Sequence, residues 1–358
     1  MTSLKDHLRR FRIRVGSWEY WPMWLIYAPL AFYYVYLSIR ARSLLFFSAS
    51  NPAIDFGGMC FERKSKIYEI IPADCCPATF LIFPTTDVAE IHQLLSKYDI
   101  QFPLIAKPDI GGKGWGVKKM NNMEELLAYQ SVCKVEFLVQ AWVPYPMELS
   151  IFYCRYPSWE KGVITSITGK TLLSVTGNGH DTIETLIRKN DRAFLQLETI
   201  RKENITRLDQ VLAAGEKITL VPYGNHARGT LFNDGHQWIN DDLENTIDRL
   251  SKKIDGFYFG RFDILTTSLE DLTTGKNISI VELNGCGAEP IHIYDPSFSF
   301  LKGQCVIWQH FKMMFDIAME NKRKGIAFIK PADYIKGWKQ EKAYKQKAPA
   351  EQLQTSHH

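Results

Sequence analysis

Residues 261–267 read RFDILTT and residues 278–283 read ISIVEL. Both read as short strands, in which successive side chains point to alternate faces. Arg261 and Asp263 then share a face, as do Glu282 and Asn284. Phe262, Ile264, Val281 and Leu283 point the other way. A polar turn with Gly275 and Asn277 is expected to join the two runs into a hairpin. Two carboxylates, an amide oxygen and a guanidinium would meet in one patch. Hard oxygen donors of this kind suit Mg²⁺, which is usually shared with substrate phosphates. A surface hairpin with ordinary charges is the plain alternative.

A chain of 358 residues can bury a large core and hold two or three subdomains. It is 46% hydrophobic and 23% charged, the composition of a folded protein. A net charge of +4 argues against bulk nucleic-acid binding and leaves room for a local anionic site. The cysteines (60, 75, 76, 133, 154, 286, 305) are scattered without a CxxC pair. That pattern reads as reduced thiols of a cytosol-type compartment, not a disulfide framework or zinc site.

The N-terminus is basic, with Lys5, Arg9, Arg10, Arg12 and Arg14 against Asp6. Residues 20–39 carry no charge, long enough for a membrane span. Pro22 and Pro29 interrupt that run, and Tyr27, Tyr33, Tyr34 and Tyr36 suit lipid tails poorly. Residues 18–47 are therefore expected to lie in a membrane surface, with basic flanks on anionic lipid. A span, or a hydrophobic helix pair packed on the protein or on a second subunit, is the alternative.

Further along, residues 51–58 (NPAIDFGG) read as a turn-rich linker. Helices are expected over 66–71, 86–98, 123–132, 241–254 and 303–321, with Asp87 and Glu90 forming a capping box and another helix opening at Asp181. Strands are expected over 101–107, 136–141, 148–155 and 162–167. After Lys322 the chain turns basic and polar and reads as a loosely attached tail. Helices and strands mix without strict alternation, so the expected class is α+β.

Several other constellations invite chemistry. Residues 102–117 (FPLIAKPDIGGKGWGV) place Lys107 at a strand end before Gly111, Gly112, Gly114 and Gly116. Glycines let backbone N–H groups approach phosphates, and Lys107 adds a point charge. A glycine-rich hairpin is the bland reading. Gln140, Ala141 and Val143 precede a proline kink and can line a base edge, with Glu148 for ribose hydroxyls; a buried strand with a surface Glu explains them equally. Lys217, His226 and Arg228 suit either anion contact or solvated loops. Cys286 with His292 suggests a thiol–imidazole pair, though a buried cysteine is the commoner case.

Taken in order, these elements resemble the ATP-grasp ligases from about residue 66 to about residue 290. VTGNGHDTIETLIRKND (175–191) and AAGEKITLVPYGNHARGTLFND (213–234) are similar to the ligase domain of cyanophycin synthetase and to bifunctional glutathione synthetases. GRFD and VELNG are similar to D-alanine–D-alanine ligase. The resemblance implies an ATP-grasp fold, with the nucleotide held between two α+β subdomains. With the composition at both ends, four segments are expected: a basic and hydrophobic N-terminal helical part (1–48) associated with a membrane, a linker and helical part (49–101), the ATP-grasp domain (102–325) and a polar tail (326–358). Lys66 and Lys107 would hold ATP phosphates under the loop of Gly111, Gly112 and Gly114. Gln140, Ala141, Val143 and Glu148 would hold adenosine. Asp263, Glu282 and Asn284 would ligate Mg²⁺, with Mn²⁺ as a substitute, and Arg261 and Arg228 would stabilise reacting anions.

The implied reaction joins a carboxylate to an amine through an acyl-phosphate. A phosphotransferase acting on a hydroxyl, or a non-catalytic ATP-binding protein, is the alternative on the same fold. Small-molecule or peptide carboxylates and amines are the implied substrates, with an anionic membrane surface or a second copy as partner and no nucleic acid. Location would be cytoplasmic, at the inner face of a membrane. Three departures stand out: Gln140 replaces a frequent acid, Arg228 precedes Gly229-Thr230 where relatives usually have two glycines, and about 60 largely hydrophobic residues stand before Lys66 where relatives usually have a substrate-binding domain.

Overall fold

In a computed structural model, residues 4–347 are described except 113, 204–206, 222, 223 and 225. Strands run in order β1 (Thr79–Ile82), β2 (Leu104–Pro108), β3 (Lys118–Met120), β4 (Phe137–Ala141), β5 (Met147–Cys154), β6 (Val163–Thr171), β7 (Ser174–Thr176), β8 (Lys217–Thr219), β9 (Leu231–Asp234), β10 (Phe259–Thr266) and β11 (Ile278–Asn284). The chain forms two compact units. One holds Met1–Ala31, Thr168–Gly235 and Ile291–Val306; the other holds Phe32–Ile167, His236–Pro290 and Ile307–His358.

In the larger unit, β1, β4, β2 and β3 pair antiparallel in that order. Helices Val88–Lys97 and Met123–Val132 cover this sheet. Ile91, Leu95, Leu126 and Tyr129 join Ile82, Leu104, Ala106, Phe137 and Val139 in one core. Each helix starts on the cap its sequence announces: Asp87 accepts from the Glu90 N–H at 2.8 Å, and Asn122 from the Glu125 N–H at 2.9 Å.

A second sheet of the same unit runs β11, β10, β5, β6. Strand β5 is buried on both faces. Leu149 and Ile151 point into a core with Phe262, Leu283 and helix Asp241–Lys252, while Phe152 and Cys154 enter another with Phe259, Met314 and Phe315. That explains a run (LSIFYC) too apolar for a one-sided strand. In the smaller unit β7 pairs with β8, and β9 with residues 168–171 of β6. Helices Ile183–Lys189 and Asp191–Glu203 bury Ile187, Phe194 and Leu197 against Val175.

Mixed helices and antiparallel sheets agree with the α+β expectation. Several local expectations do not hold. The connection from β10 to β11 is a helix, Leu269–Thr274, instead of a polar turn. Ser268 caps it, accepting from the Asp271 N–H at 3.0 Å, and Gly275 ends it at φ +77, a conformation that a β-carbon disfavours. Residues 51–58 are not a linker. Asn51 is fully buried and its amide bonds Gly57 O at 3.0 Å, Phe259 O at 2.7 Å and the N–H groups of Tyr258 and Phe259 at 2.9 Å. The helix expected at Asp181 starts one residue later, on Thr182.

Residues 331–347, expected in a loose tail, form helix Pro331–Lys347. Its buried Tyr344 hydroxyl accepts from the Asp109 N–H at 2.9 Å and donates to Glu136 O at 2.5 Å. Tyr344, together with Tyr334 packed on Phe47 and Phe56, anchors a helix whose composition is largely polar. Residues 348–358 lie outside the described residues. The uncharged run of residues 20–39 breaks into short pieces, helix Met23–Tyr27, a 3-10 turn and the start of helix Ala31–Ala41. Among the described residues no helix is long and apolar enough to cross a membrane.

Candidate functional site

Strands β10 and β11 put Arg261 opposite Asn284, and Asp263 opposite Glu282. The alternation of the two segments does this directly, since one register aligns both polar pairs. Arg261 Nε and Nη2 donate to the two Asp263 oxygens at 3.1 and 3.2 Å, and Ser150 Oγ donates to the same carboxylate. Both side chains are largely buried. Burial alone would lower the guanidinium's affinity for its proton, but the charge and hydrogen bonds of Asp263, with the charges of Glu282 and Glu289, together outweigh it and hold Arg261 charged.

Past Asp263 the register shifts, so Ile264 faces Ile280 and Val281 has no partner on β10. The Val281 carbonyl is taken instead by the Tyr68 hydroxyl and, at 3.3 Å, by Lys107 Nζ. This bulge joins the carboxylate-bearing strand to the lysine of β2. Lys107 Nζ also donates to Tyr68 Oη at 2.8 Å and to Gln140 Oε1 at 2.9 Å. Three acceptors match the three protons of an ammonium. Gln140 Nε2 donates to Thr79 Oγ1 at 2.9 Å, which fixes which end of the amide faces Lys107. Burial, with Lys64 nearby, lowers the Lys107 pKa to about 7, against the opposing pull of Glu282.

A cavity of about 150 Å³ is lined by Glu62, Lys64, Tyr68, Gly111, Gly112, Glu282 and Asn284, together with Glu341 and Lys345 of the C-terminal helix. Glu62 accepts the Gly285 N–H at 2.8 Å. The turn at Gly58 approaches so closely that a β-carbon there would stand 2.5 Å from the Gly285 Cα. Burial raises the Glu62 carboxyl to about 7, opposed by the Gly285 hydrogen bond and reinforced by Glu282. Lys64 Nζ donates to the Gly111 carbonyl, and Glu341 and Lys345 pair at 2.5 Å. Gly111 lies against the Trp115 ring at φ +143, while a β-carbon on Gly112 would meet nothing within 4 Å.

The sequence-expected residues distribute unevenly. Arg261, Asp263, Glu282, Asn284, Lys107 and Gln140 are brought together through β10, β11 and the bulge. Gly111 and Gly112 reach the same cavity; Gly114 lies beyond Lys113, which is outside the described residues. Lys66 is largely exposed and pairs with Asp55 at 2.6 Å, and Lys64 lines the cavity instead. Ala141 pairs with Leu104, Glu148 with Leu265 on the second sheet, and Val143 follows β4 half-buried.

Arg228 belongs to the smaller unit, in a 3-10 turn whose His226 ring meets Glu19 at 2.9 Å. Lys217 there is exposed, and Asn225 lies outside the described residues. Cys286 is buried, which pushes its thiol well up, and all described cysteines are free. Glu62, Tyr68, Glu341 and Lys345 escaped the sequence reading. Glu62 and Lys64, two residues apart and so on one side of an extended stretch, were the one available signal.

No family model and no curated protein sequence matches the chain. Among solved structures it is similar to a bifunctional glutathione synthetase from Pasteurella multocida (14% identity, TM-score 0.40, covering 70% of this chain and 35% of that one). It is also similar to D-alanine–D-alanine ligase from Bacillus anthracis (13% identity, TM-score 0.42, covering 75% and 68%). A third likeness is to VanG D-Ala:D-Ser ligase from Enterococcus faecalis (13%, 0.40, 74% and 63%). The chain thus spans about a third of the glutathione synthetase and under two thirds of the VanG ligase.

Proposed function

We propose that the protein is an ATP-dependent ligase that joins a carboxylate to an amine through an acyl-phosphate. The supporting observation is the bulge at Val281. Through it a strand bearing Glu282 and Asn284, paired to Arg261 and Asp263, is tied to the buried ammonium of Lys107. The same strand and the Gly111–Gly112 backbone line one cavity. Cations, carboxylates and a close-approaching backbone are what a transferring phosphoryl group requires.

A divalent metal ion fits the donor set of two carboxylates and an amide. The buried Asn284 amide nitrogen has no hydrogen-bond partner, a donor that a phosphate oxygen bound beside the ion would satisfy. No described group of three or more His, Cys, Asp or Glu side chains could hold a metal. The ion would therefore depend on Asn284 beside Asp263 and Glu282. Magnesium, or manganese in its place, would neutralise charge on the transferring oxygens. Arg261 would serve the same charge from the protein side, and Lys107 would exchange one internal acceptor for a phosphate oxygen.

Release of ADP and phosphate that requires both an acid and an amine, with an amide formed, tests this reading. A stable phosphoester in place of an amide would reassign the chain as a phosphotransferase. Nucleotide binding with no product from any such pair would make it a binding protein.

A further inference from the structure

Helix Leu4–Gly16 is attached to its unit by its polar side. Arg9 donates to Arg188 O at 2.6 Å and to Asp191 at 2.5 Å, and its guanidinium lies 4.3 Å from the centre of the Phe194 ring. Arg10 meets Glu198 at 3.2 Å, and Asp6 meets Arg188 at 3.4 Å. Ile13 packs between them against the apolar core of helices Ile183–Lys189 and Asp191–Glu203.

The opposite side is apolar and faces outward. Leu4, Leu8, Phe11 and Val15 are 77%, 61%, 67% and 53% exposed. At about 100° per residue these four fall within an arc of about 60°. An amphipathic helix on a globular protein normally turns such a stripe inward. Here the arrangement is reversed, and no residue of the helix is buried. Exposed Lys5 and Arg12 border the stripe on one side, and exposed Arg14 on the other.

We propose that this helix seats the protein on an anionic lipid bilayer, with Leu4, Leu8, Phe11 and Val15 at acyl depth and Lys5, Arg12 and Arg14 among lipid phosphates. The charge pattern selects this partner. An apolar stripe rimmed by cations matches the boundary between acyl chains and anionic headgroups. A second copy of the helix would bring its own cations against the same rim. Helix Ala31–Ala41 presents a comparable outward face, with Phe32 at 86%, Val35 at 50%, Tyr36 at 52% and Ile39 at 71% exposure and Arg40 beside it, while its Leu37 and Ala41 are buried. The inference is independent of the ligase reading.

The test is co-sedimentation of the full chain with phosphatidylcholine vesicles, with and without phosphatidylglycerol. Binding to the anionic vesicles is expected, falling as salt rises from about 0.05 to about 0.5 M. Leu8→Gln with Phe11→Gln should weaken it by about tenfold or more. Both side chains are exposed, so circular dichroism and thermal unfolding should be unchanged. Arg12→Gln with Arg14→Gln should remove the preference for anionic lipid. Absence of sedimentation, equal binding to both vesicle types, or full binding by the Leu8/Phe11 variant would overturn the proposal. So would a dimer in solution that the Leu8/Phe11 variant dissociates, since the stripe would then serve a second copy.

Discussion

Lys107 donates its ammonium to the Gln140 carboxamide oxygen at 2.9 Å, in the interior of the larger unit. A neutral acceptor in that place keeps the lysine poised, because a carboxylate would hold its proton firmly. Burial and the Lys64 charge set the pKa at about 7. Phosphate binding favours the charged form, so nucleotide affinity should be near maximal below pH 7. Above it, affinity should weaken by up to about tenfold per pH unit. Calorimetric titration with ATP from pH 6 to 9 measures this. Lys107→Arg, which stays charged, should flatten the profile, and Gln140→Glu should move the decline to higher pH. A flat profile in the unsubstituted chain would count against a role for Lys107 in binding phosphate.

Asp263→Asn should reduce ADP release by at least about a hundredfold. It should also destabilise the fold, because buried Arg261 would lose its bidentate carboxylate partner, at a cost of up to about 3–5 kcal/mol. Urea unfolding and steady-state turnover separate the two effects. Full turnover in a folded Asp263→Asn protein would remove this pair from the mechanism.

Glu62 carries its carboxyl raised from 4.5 to about 7 in the folded state. A raised acid favours folding while it is protonated. That contribution is complete below about pH 4.5 and is lost as pH rises through about 7. Glu62→Gln keeps an acceptor for the Gly285 N–H and never ionises. In EDTA it should match the unsubstituted chain near pH 4.5 and exceed its stability by up to about 3 kcal/mol at pH 8. Chemical denaturation at both values checks the sign, and a stability difference that does not vary with pH would contradict it.

Tyr344→Phe removes one hydroxyl that accepts from Asp109 and donates to Glu136. Both backbone groups would lose that partner, at a cost of about 1–3 kcal/mol. Since Glu341 and Lys345 of the same helix line the cavity, ligand affinity should fall with stability. Thermal unfolding with and without ATP measures both. An unchanged midpoint would mean the helix holds by its other contacts alone.

Much of this architecture was legible in local patterns. The helix over 123–132 and the Asp87 cap follow from periodicity and capping chemistry, which act over a few residues. The facing of Asp263 and Glu282 follows from two matched alternations. The helix at 269–274 was missed because LEDLTT is short and polar, so it reads as a turn unless the Ser268 cap and Gly275 stop are weighed together. Lys64 and Lys66 flank one serine, and only packing separates the exposed ion pair of Lys66 from the cavity wall at Lys64. Tyr344 gave little warning, since an aromatic among the lysines of residues 331–347 says nothing of what lies opposite.

By itself the sequence determined the alternation that sets Arg261 with Asp263 and Glu282 with Asn284, the Asp87 cap, and the α+β mixture, because these depend on neighbours two to four residues apart. Only the tertiary structure decided that a bulge would free the Val281 carbonyl for Lys107, that Glu62 would be enclosed beside Gly285, and that helix Leu4–Gly16 would turn its apolar side outward. Those outcomes depend on groups up to more than a hundred residues distant, whose competition for the same acceptors and the same buried space is settled only when the chain is packed.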